Sequence, residues 1–205
     1  MRRTLPFIAA ALCLVLAAVV IAKTIDGTRK SETLRGTAGP DVIEAKAGDD
    51  RVLGLGGDDQ LSGDAGNDRV LGAAGADIIF GGSGNDRLEG GSGEDNVAGE
   101  DGNDRILGGT GNDRLFGGPG NDRLDGGAGD DTVDGGAGND LIVGGRGRDT
   151  LKGGRGKDRI EARDGVADTI DCGPDSDAAI VDRIDEIAGA TADRPAGSCD
   201  GLRVG

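Results

Sequence analysis

Fourteen aspartates recur at nine-residue intervals: Asp41, Asp50, Asp59, Asp68, Asp77, Asp86, Asp95, Asp104, Asp113, Asp122, Asp131, Asp140, Asp149 and Asp158. Each lies two residues after a glycine, from Gly39 to Gly156, and two before an Ile, Val or Leu, from Ile43 to Ile160. Cut into nine-residue rows from Gly36 to Glu161, the chain yields fourteen rows with no gap, and the first position is Gly in all but one, Ala45. Carboxylates are hard oxygen donors, and a glycine turn bares backbone carbonyls because no Cβ blocks the approach. Together they suit calcium, which takes about six to eight oxygens at roughly 2.3–2.6 Å.

The aspartates need elements that bring distant rows together. Positions 1 to 6 of a row carry turn chemistry, since Gly and Asn-Asp tolerate positive φ. Positions 7 to 9 predict a short strand with its central aliphatic facing inward. Rows then alternate turn, strand, turn, strand, and two rows, eighteen residues, close one coil. Equivalent turns stack about one strand spacing, ~4.8 Å, apart. The aspartates divide into two ladders, one from Asp41 to Asp149 and the other from Asp50 to Asp158, each stepping by eighteen residues. An ion between two stacked turns can take carbonyls from both and a carboxylate from each. Seven turns on an edge leave six gaps, so the ceiling is on the order of twelve ions. The early turns deviate most, at Pro40, Lys46, Leu55 and Ala76, and the weakest sites are expected there. The alternative is that these carboxylates only cap turns, but an unscreened stack would repel itself at less than a Debye length.

Composition alone would point elsewhere. With 43 glycines in 205 residues, three Phe, no Trp or Tyr and a net charge of -15, the chain reads as a disordered polyanion. The fixed period overrides that, because self-similarity at constant spacing marks a solenoid. One inward aliphatic per row is a thin core, too little to offset the entropy of ordering nine residues, so the rows need a further source of cohesion. The absence of His removes Ser-His-Asp triads, Cys-His pairs and His-ligated zinc. Catalysis would have to come from carboxylates alone, and no pair among the 38 acidic residues stands out; the chain is expected not to be an enzyme. The acidic balance also argues against nucleic acid as a partner.

The flanks fit export. Met1 to Ala22 reads as a signal peptide: Arg2 and Arg3, an apolar run from Leu5 to Ile21, and Val20-Ile21-Ala22 as a small-residue cleavage site. The alternative is an uncleaved anchor, the run being at the short limit for a membrane span; cleavage would leave no stable span. Residues 23–35 form an N-terminal cap or linker, residues 36–161 the repeats, and residues 162–205 imperfect rows followed by a C-terminal cap. Val181 to Ile187 suits a capping strand or a short helix, and Arg194 to Ser198 a loop. Once the leader is removed, Cys172 and Cys199 remain and would pair in an exported chain, free thiols or a metal pair being the alternatives.

The row Gly81-Gly-Ser-Gly-Asn-Asp-Arg-Leu-Glu89 shows the pattern Gly-Gly-x-Gly-x-Asp-x-aliphatic-x most fully. It resembles the calcium-binding nonapeptide of the RTX, or hemolysin-type, family, and the resemblance covers about 126 of the 205 residues. It implies an all-β fold, a right-handed parallel β-roll (a β-solenoid) with Ca2+ ions stacked along both edges, which agrees with the coil of 18 residues; the cysteines add a small disulfide-stapled C-terminal cap. Because ions bound only by the folded state stabilise it, folding is expected to be coupled to calcium. The N-terminal leader departs from the family's common C-terminal secretion signal and favours the general secretory route to the cell surface or medium.

Two outward faces follow from the alternation. Position 7 of the even rows reads Arg51, Arg69, Arg87, Arg105, Arg123, Leu141, Arg159, with Leu53, Leu71, Leu107 and Val143 among Glu89, Asp125 and Glu161 at position 9. The odd face carries Val42, Gln60, Ile78, Asn96, Arg114, Thr132 and Thr150, with Phe80 and Phe116 at position 9. The arginine row either docks an anionic glycan, a lipid or a protein partner, or is a solvated face balancing nearby carboxylates. The functional expectation is an exported, calcium-binding, structural or adhesive cell-surface module. A carboxylate enzyme on the roll and an ice-binding face are the lesser alternatives, the latter because only Thr110 occupies position 3 as threonine.

Overall fold

A computed structural model of the chain describes residues 22–187, 199, 201, 203 and 204. The expected leader lies outside these residues except for Ala22, and the loop expected over Arg194–Ser198 lies outside them entirely. Twenty strands run in chain order and alternate between two ten-stranded parallel sheets, an odd and an even one, so each strand pairs with the next but one. Among the described residues there is no helix. The pairing register is eighteen residues, Arg87 opposite Arg105 and Arg105 opposite Arg123, as the two-row coil requires. The chain is a parallel β-solenoid of about nine turns.

The strands are longer than the nonapeptide suggests. Arg87–Ser92 is typical: six residues, from position 7 of one row through position 3 of the next. Only positions 4 to 6 turn. Positions 1 to 3 were expected to be turn because they are glycine-rich, yet Gly91 and Ser92 pair with Gly109 and Thr110 in the neighbouring strand. Gly91 has φ +123°, so the strand bends there without losing its ladder. The earliest coils keep short strands, Asp41–Glu44 and Arg51–Leu53.

Inside the coil three positions are buried. The position 8 aliphatics, Ile43 to Ile160, are at most 1% exposed and stack one above another, each on the residue eighteen before it. Position 1 and the position 6 aspartates complete the interior. The cross-section is so thin that backbone touches backbone. A Cβ on Gly102, at position 4, would lie 1.5 Å from the carbonyl oxygen of Gly84 in the preceding coil, and its φ is +148°. That excludes any side chain and explains why position 4 never varies. Position 2 is less strict: Lys46, Leu55, Asp64, Ala73 and Glu100 adopt φ between 68° and 87° there. Each such residue costs roughly 1–2 kcal/mol relative to glycine.

Both ends continue the coil. Lys23–Asp26 and Thr33–Arg35 pair in register with Asp41–Glu44 and Arg51–Leu53, so the lead-in is built as a coil of the same kind. At the other end the row beginning at Ala162 has an extra residue. The N–H of Gly147 and of Gly156 then donate to the side chains of Asp164 and Asp175 rather than to a position 3 carbonyl. Val181 to Ile187 contains no helix: Ala178–Val181 and Glu186–Ile187 are strands on opposite sheets. Cys172, buried in the place glycine takes at position 1, is disulfide-bonded to Cys199, with Cα atoms 5.4 Å apart. This closes a loop with a sequence separation of 27 and fastens the tail whose Arg203–Val204 pairs with Ile180–Val181. Such a closure contributes about 3–4 kcal/mol.

Two substitutions test the backbone account in urea unfolding at saturating calcium. Glu100→Gly is expected to stabilise by about 1 kcal/mol, through relief of its left-handed backbone. Gly102→Ala, two residues on, is expected to destabilise by about 2–3 kcal/mol or more.

Candidate metal centre

The position 6 aspartates are deeply buried: from Asp41 to Asp158 none is more than 4% exposed. Buried carboxylates need partners. One oxygen of each has one. The Oδ1 of Asp104 accepts the N–H of Asp86 at 2.8 Å, that of Asp122 accepts the N–H of Asp104 at 2.8 Å, and the pattern repeats along both edges. Each carboxylate thus clamps the preceding coil. The two predicted ladders exist as drawn, with Asp41 to Asp149 on one edge and Asp50 to Asp158 on the other.

The second oxygen is the anomaly. The Oδ2 atoms of Asp50, Asp59, Asp68, Asp77, Asp86, Asp95, Asp104, Asp113, Asp122, Asp131, Asp140, Asp149 and Asp158 are buried and accept no hydrogen bond. Asp41 alone among the fourteen escapes, because its Oδ2 accepts the N–H of Thr37 at 2.5 Å. Position 1 shows where the orphan oxygens point. A Cβ on Gly81 would lie 2.5 Å from the Oδ2 of Asp86 and 2.7 Å from the carbonyl oxygen of Gly99 in the next coil. Glycine leaves that carboxylate oxygen and that carbonyl the room a Cβ would take. The carbonyls of positions 4 and 5, between the strands, accept no hydrogen bond in the rows from Ala45 to Glu161.

These donors fit calcium: hard oxygens only, one uncommitted carboxylate oxygen per row, and uncommitted carbonyls in the same turn. Among the described residues no group of three Asp, Glu, His or Cys side chains is placed to hold an ion. A site here therefore draws on carbonyls as much as on carboxylates, which suits calcium better than zinc.

The same burial shows in the electrostatics. Burial, the largest cause, pushes Asp104, Asp131 and Asp140 up to about 7 and Asp77 and Asp95 up to about 6. The N–H from the preceding coil opposes this, and the neighbouring ladder carboxylates add to it. Asp86, Asp113, Asp122, Asp149 and Asp158 are raised for the same first reason.

The imperfect rows expected after Glu161 carry the ladders on: Asp168, displaced by one in its ten-residue row, and Asp177 are buried and accept the N–H of Asp149 and Asp158. One feature escaped the sequence reading. Position 5 forms a second ladder of opposite polarity: the N–H of Asn85 donates to Asn67 Oδ1, that of Asn103 to Asn85, and that of Asn121 to Asn103, at 2.8–2.9 Å. On that edge it runs unbroken from Asp49 to Lys157. On the other, Ala76 and Glu94 interrupt it. The signal was present, since nine of the fourteen position 5 residues are Asn or Asp.

The profile described as RTX calcium-binding nonapeptide repeat (4 copies) matches residues 26–61, 62–97, 98–133, 107–142 and 134–166. A search of curated proteins finds no match. Repeats of this description bind Ca2+ at multiple sites, which accounts for the uncommitted oxygens.

The sign of the pH dependence follows. Aspartate ordinarily titrates near 4, whereas burial pushes Asp77 up to about 6 and Asp104 up to about 7. Between those values the unfolded chain ionises and the calcium-free coil resists, so stability without calcium falls as pH rises through that window. Calcium reverses the sign, because it needs the ionised carboxylate and competes with the proton. The calcium concentration for half-maximal folding is expected to drop tenfold or more between about pH 5.5 and 7.5; a midpoint independent of pH contradicts the assignment. In calorimetry, Asp104→Asn is expected to remove bound calcium, while Asp41→Asn, whose second oxygen already accepts an N–H, is expected to remove less.

Proposed function

The chain belongs to the RTX calcium-binding nonapeptide repeat family, and we propose that it is an exported scaffold that sets into a rigid roll on meeting calcium outside the cell. The observation that carries this reading is the file of buried carboxylates with one oxygen uncommitted. Asp41, Asp50, Asp59, Asp68, Asp77, Asp86, Asp95, Asp104, Asp113, Asp122, Asp131, Asp140, Asp149 and Asp158 are the proposed ligands, with turn carbonyls completing each site and Asp41 the weakest contributor. Ions that bind only the folded state stabilise it by mass action. Affinities of extracellular modules, on the order of 10⁻⁴–10⁻³ M, would leave the chain loose in a low-calcium cell and folded after export.

Residues 1–22 act as the leader in this reading, 23–35 as the first, capping coil, 36–161 as the calcium roll, and 162–205 as the stapled end. The disulfide supports an oxidising destination. The module is non-catalytic: its buried carboxylates are spread evenly along two ladders instead of being paired in a cleft, and its role is structural or adhesive at the cell surface. Among the described residues no helix is long and apolar enough to cross a membrane.

Fractionating cells that express the full chain tests the reading. The mature protein is expected in the medium or on the surface, beginning at Lys23, with Cys172 and Cys199 oxidised and protease resistance lost on adding a chelator. A full-length chain kept inside the cell in a protease-resistant, calcium-independent form would overturn it.

A further inference from the structure

The outer face of the even sheet carries a charge pattern that calcium binding leaves unexplained. Arg51, Arg69, Arg87, Arg105 and Arg123 stand in register on five successive strands, and Leu141 and Arg159 continue the rank. All six arginines are exposed. Adjacent guanidinium stems are one strand spacing, ~4.8 Å, apart, less than a Debye length, so they repel unless a line of anions lies between or above them. Only Arg159 has an internal partner, Glu161 at 2.7 Å. Among the described residues the other ion pairs are Lys46–Asp26 and Lys152–Asp134, so no carboxylate pairs with Arg51, Arg69, Arg87, Arg105 or Arg123.

The neighbouring rank, two residues along each strand, has a longer period. It reads Leu53, Leu71, Glu89, Leu107, Asp125, Val143, Glu161, Ile180 on consecutive strands. From Leu71 onward aliphatic and acidic residues alternate, so that part of the face repeats every two coils, or ~9.6 Å at the usual strand spacing. A shallow hollow of about 80 Å³ lies along it between Arg87, Glu89, Arg105, Leu107, Arg123 and Asp125.

We propose that this face binds a linear acidic polysaccharide whose repeating unit is a disaccharide with one anionic group. Two pyranose rings in extended linkage span a length close to two strand spacings. The chain would lie along the roll axis. Its anion would meet Arg69 and Arg105, two coils apart, whose neighbour two residues along the same strand is the aliphatic Leu71 or Leu107. Each intervening coil offers Glu89 or Asp125 to accept hydroxyl or amide N–H bonds, while Leu71 and Leu107 contact apolar ring faces. A lipid surface fits less well, because Glu89, Asp125 and Glu161 in the same plane would be pressed against its phosphates. Single-stranded nucleic acid fits less well too, since stacking wants aromatic side chains and the two described phenylalanines, Phe80 and Phe116, lie on the other sheet. The inference rests on the calcium reading above: bound ions cancel the ladder carboxylates that would otherwise repel a polyanion from a chain of net charge -15.

Calorimetric titration of the calcium-loaded full chain with hyaluronan oligosaccharides, which carry one carboxylate per disaccharide, tests it. Dextran and phosphatidylglycerol vesicles serve as neutral and lipid comparators. Affinity is expected to rise with each added disaccharide until the ligand spans Arg51 to Arg123, and to weaken with salt. Arg69→Ser with Arg105→Ser should cost at least tenfold, Arg69→Lys with Arg105→Lys less, and Arg114→Ser on the odd sheet nothing. Circular dichroism on each sample reports whether the roll has formed. A roll folded with calcium that leaves hyaluronan unbound, binds dextran equally, prefers the vesicles, or is indifferent to loss of Arg69 and Arg105 overturns the inference and leaves the calcium reading standing. A wild-type chain that fails to fold with calcium overturns both.

Discussion

Everything in this molecule depends on a carboxylate that is only half satisfied. Each ladder aspartate gives one oxygen to the N–H of the preceding coil and keeps the other, buried, without a protein partner. A buried ionised group in that condition is strongly unfavourable. Repeated thirteen times, it is an arrangement that protein atoms alone do not balance. The nonapeptide can be read as the set of residues that lets a cation do so. Glycine at position 1 clears the space beside the free oxygen, and glycine at position 4 lets successive coils touch. The aliphatic at position 8 supplies what apolar burial so thin a coil can hold. Because clamp and core are shared between adjacent coils, stability accumulates along the axis.

Much of this was legible in the residues, and the rest was hidden for definite reasons. A period of nine with a constant aliphatic and a constant aspartate placed the sheets, the eighteen-residue register and both ladders correctly. Strand length was misjudged because glycine signals turn, whereas here Gly91 and Gly109 face each other inside a parallel ladder. Parallel pairing needs only backbone groups, and positive φ at position 2 bends the strand without ending it. One inserted residue shifts the frame at Asp168 without breaking the geometry, so the rows around Asp168 and Asp177 stayed legible as imperfect repeats. The cap around Val181–Ile187 was ambiguous because alternating and helical apolar patterns coincide over so short a stretch.

The direction of the side-chain bonds could not have been read from composition at all. Position 6 carboxylates accept from the coil before them, while position 5 amides and carboxylates accept from the coil after. Adjacent residues therefore hold the stack from opposite sides, which gives every interior coil a tie in both directions. The two edges are unequal, because Ala76 and Glu94 interrupt this second tie on one of them. Toward the C-terminal end the following coil answers with side chains, Asp164 and Asp175, where earlier coils offer a backbone carbonyl, and the Cys172–Cys199 disulfide fastens the tail.

The most direct test of the central claim is a count of calcium ions made while the sheet forms. Calcium is titrated into the chelator-stripped chain at about neutral pH, with bound ions measured by equilibrium dialysis and strand content by far-ultraviolet circular dichroism. If the half-satisfied carboxylates require the ion, the stripped chain has little strand signal, and the signal rises cooperatively in step with the binding of several ions per chain. A stripped chain that already shows the full strand signal, with calcium binding weakly or not at all, would contradict the account.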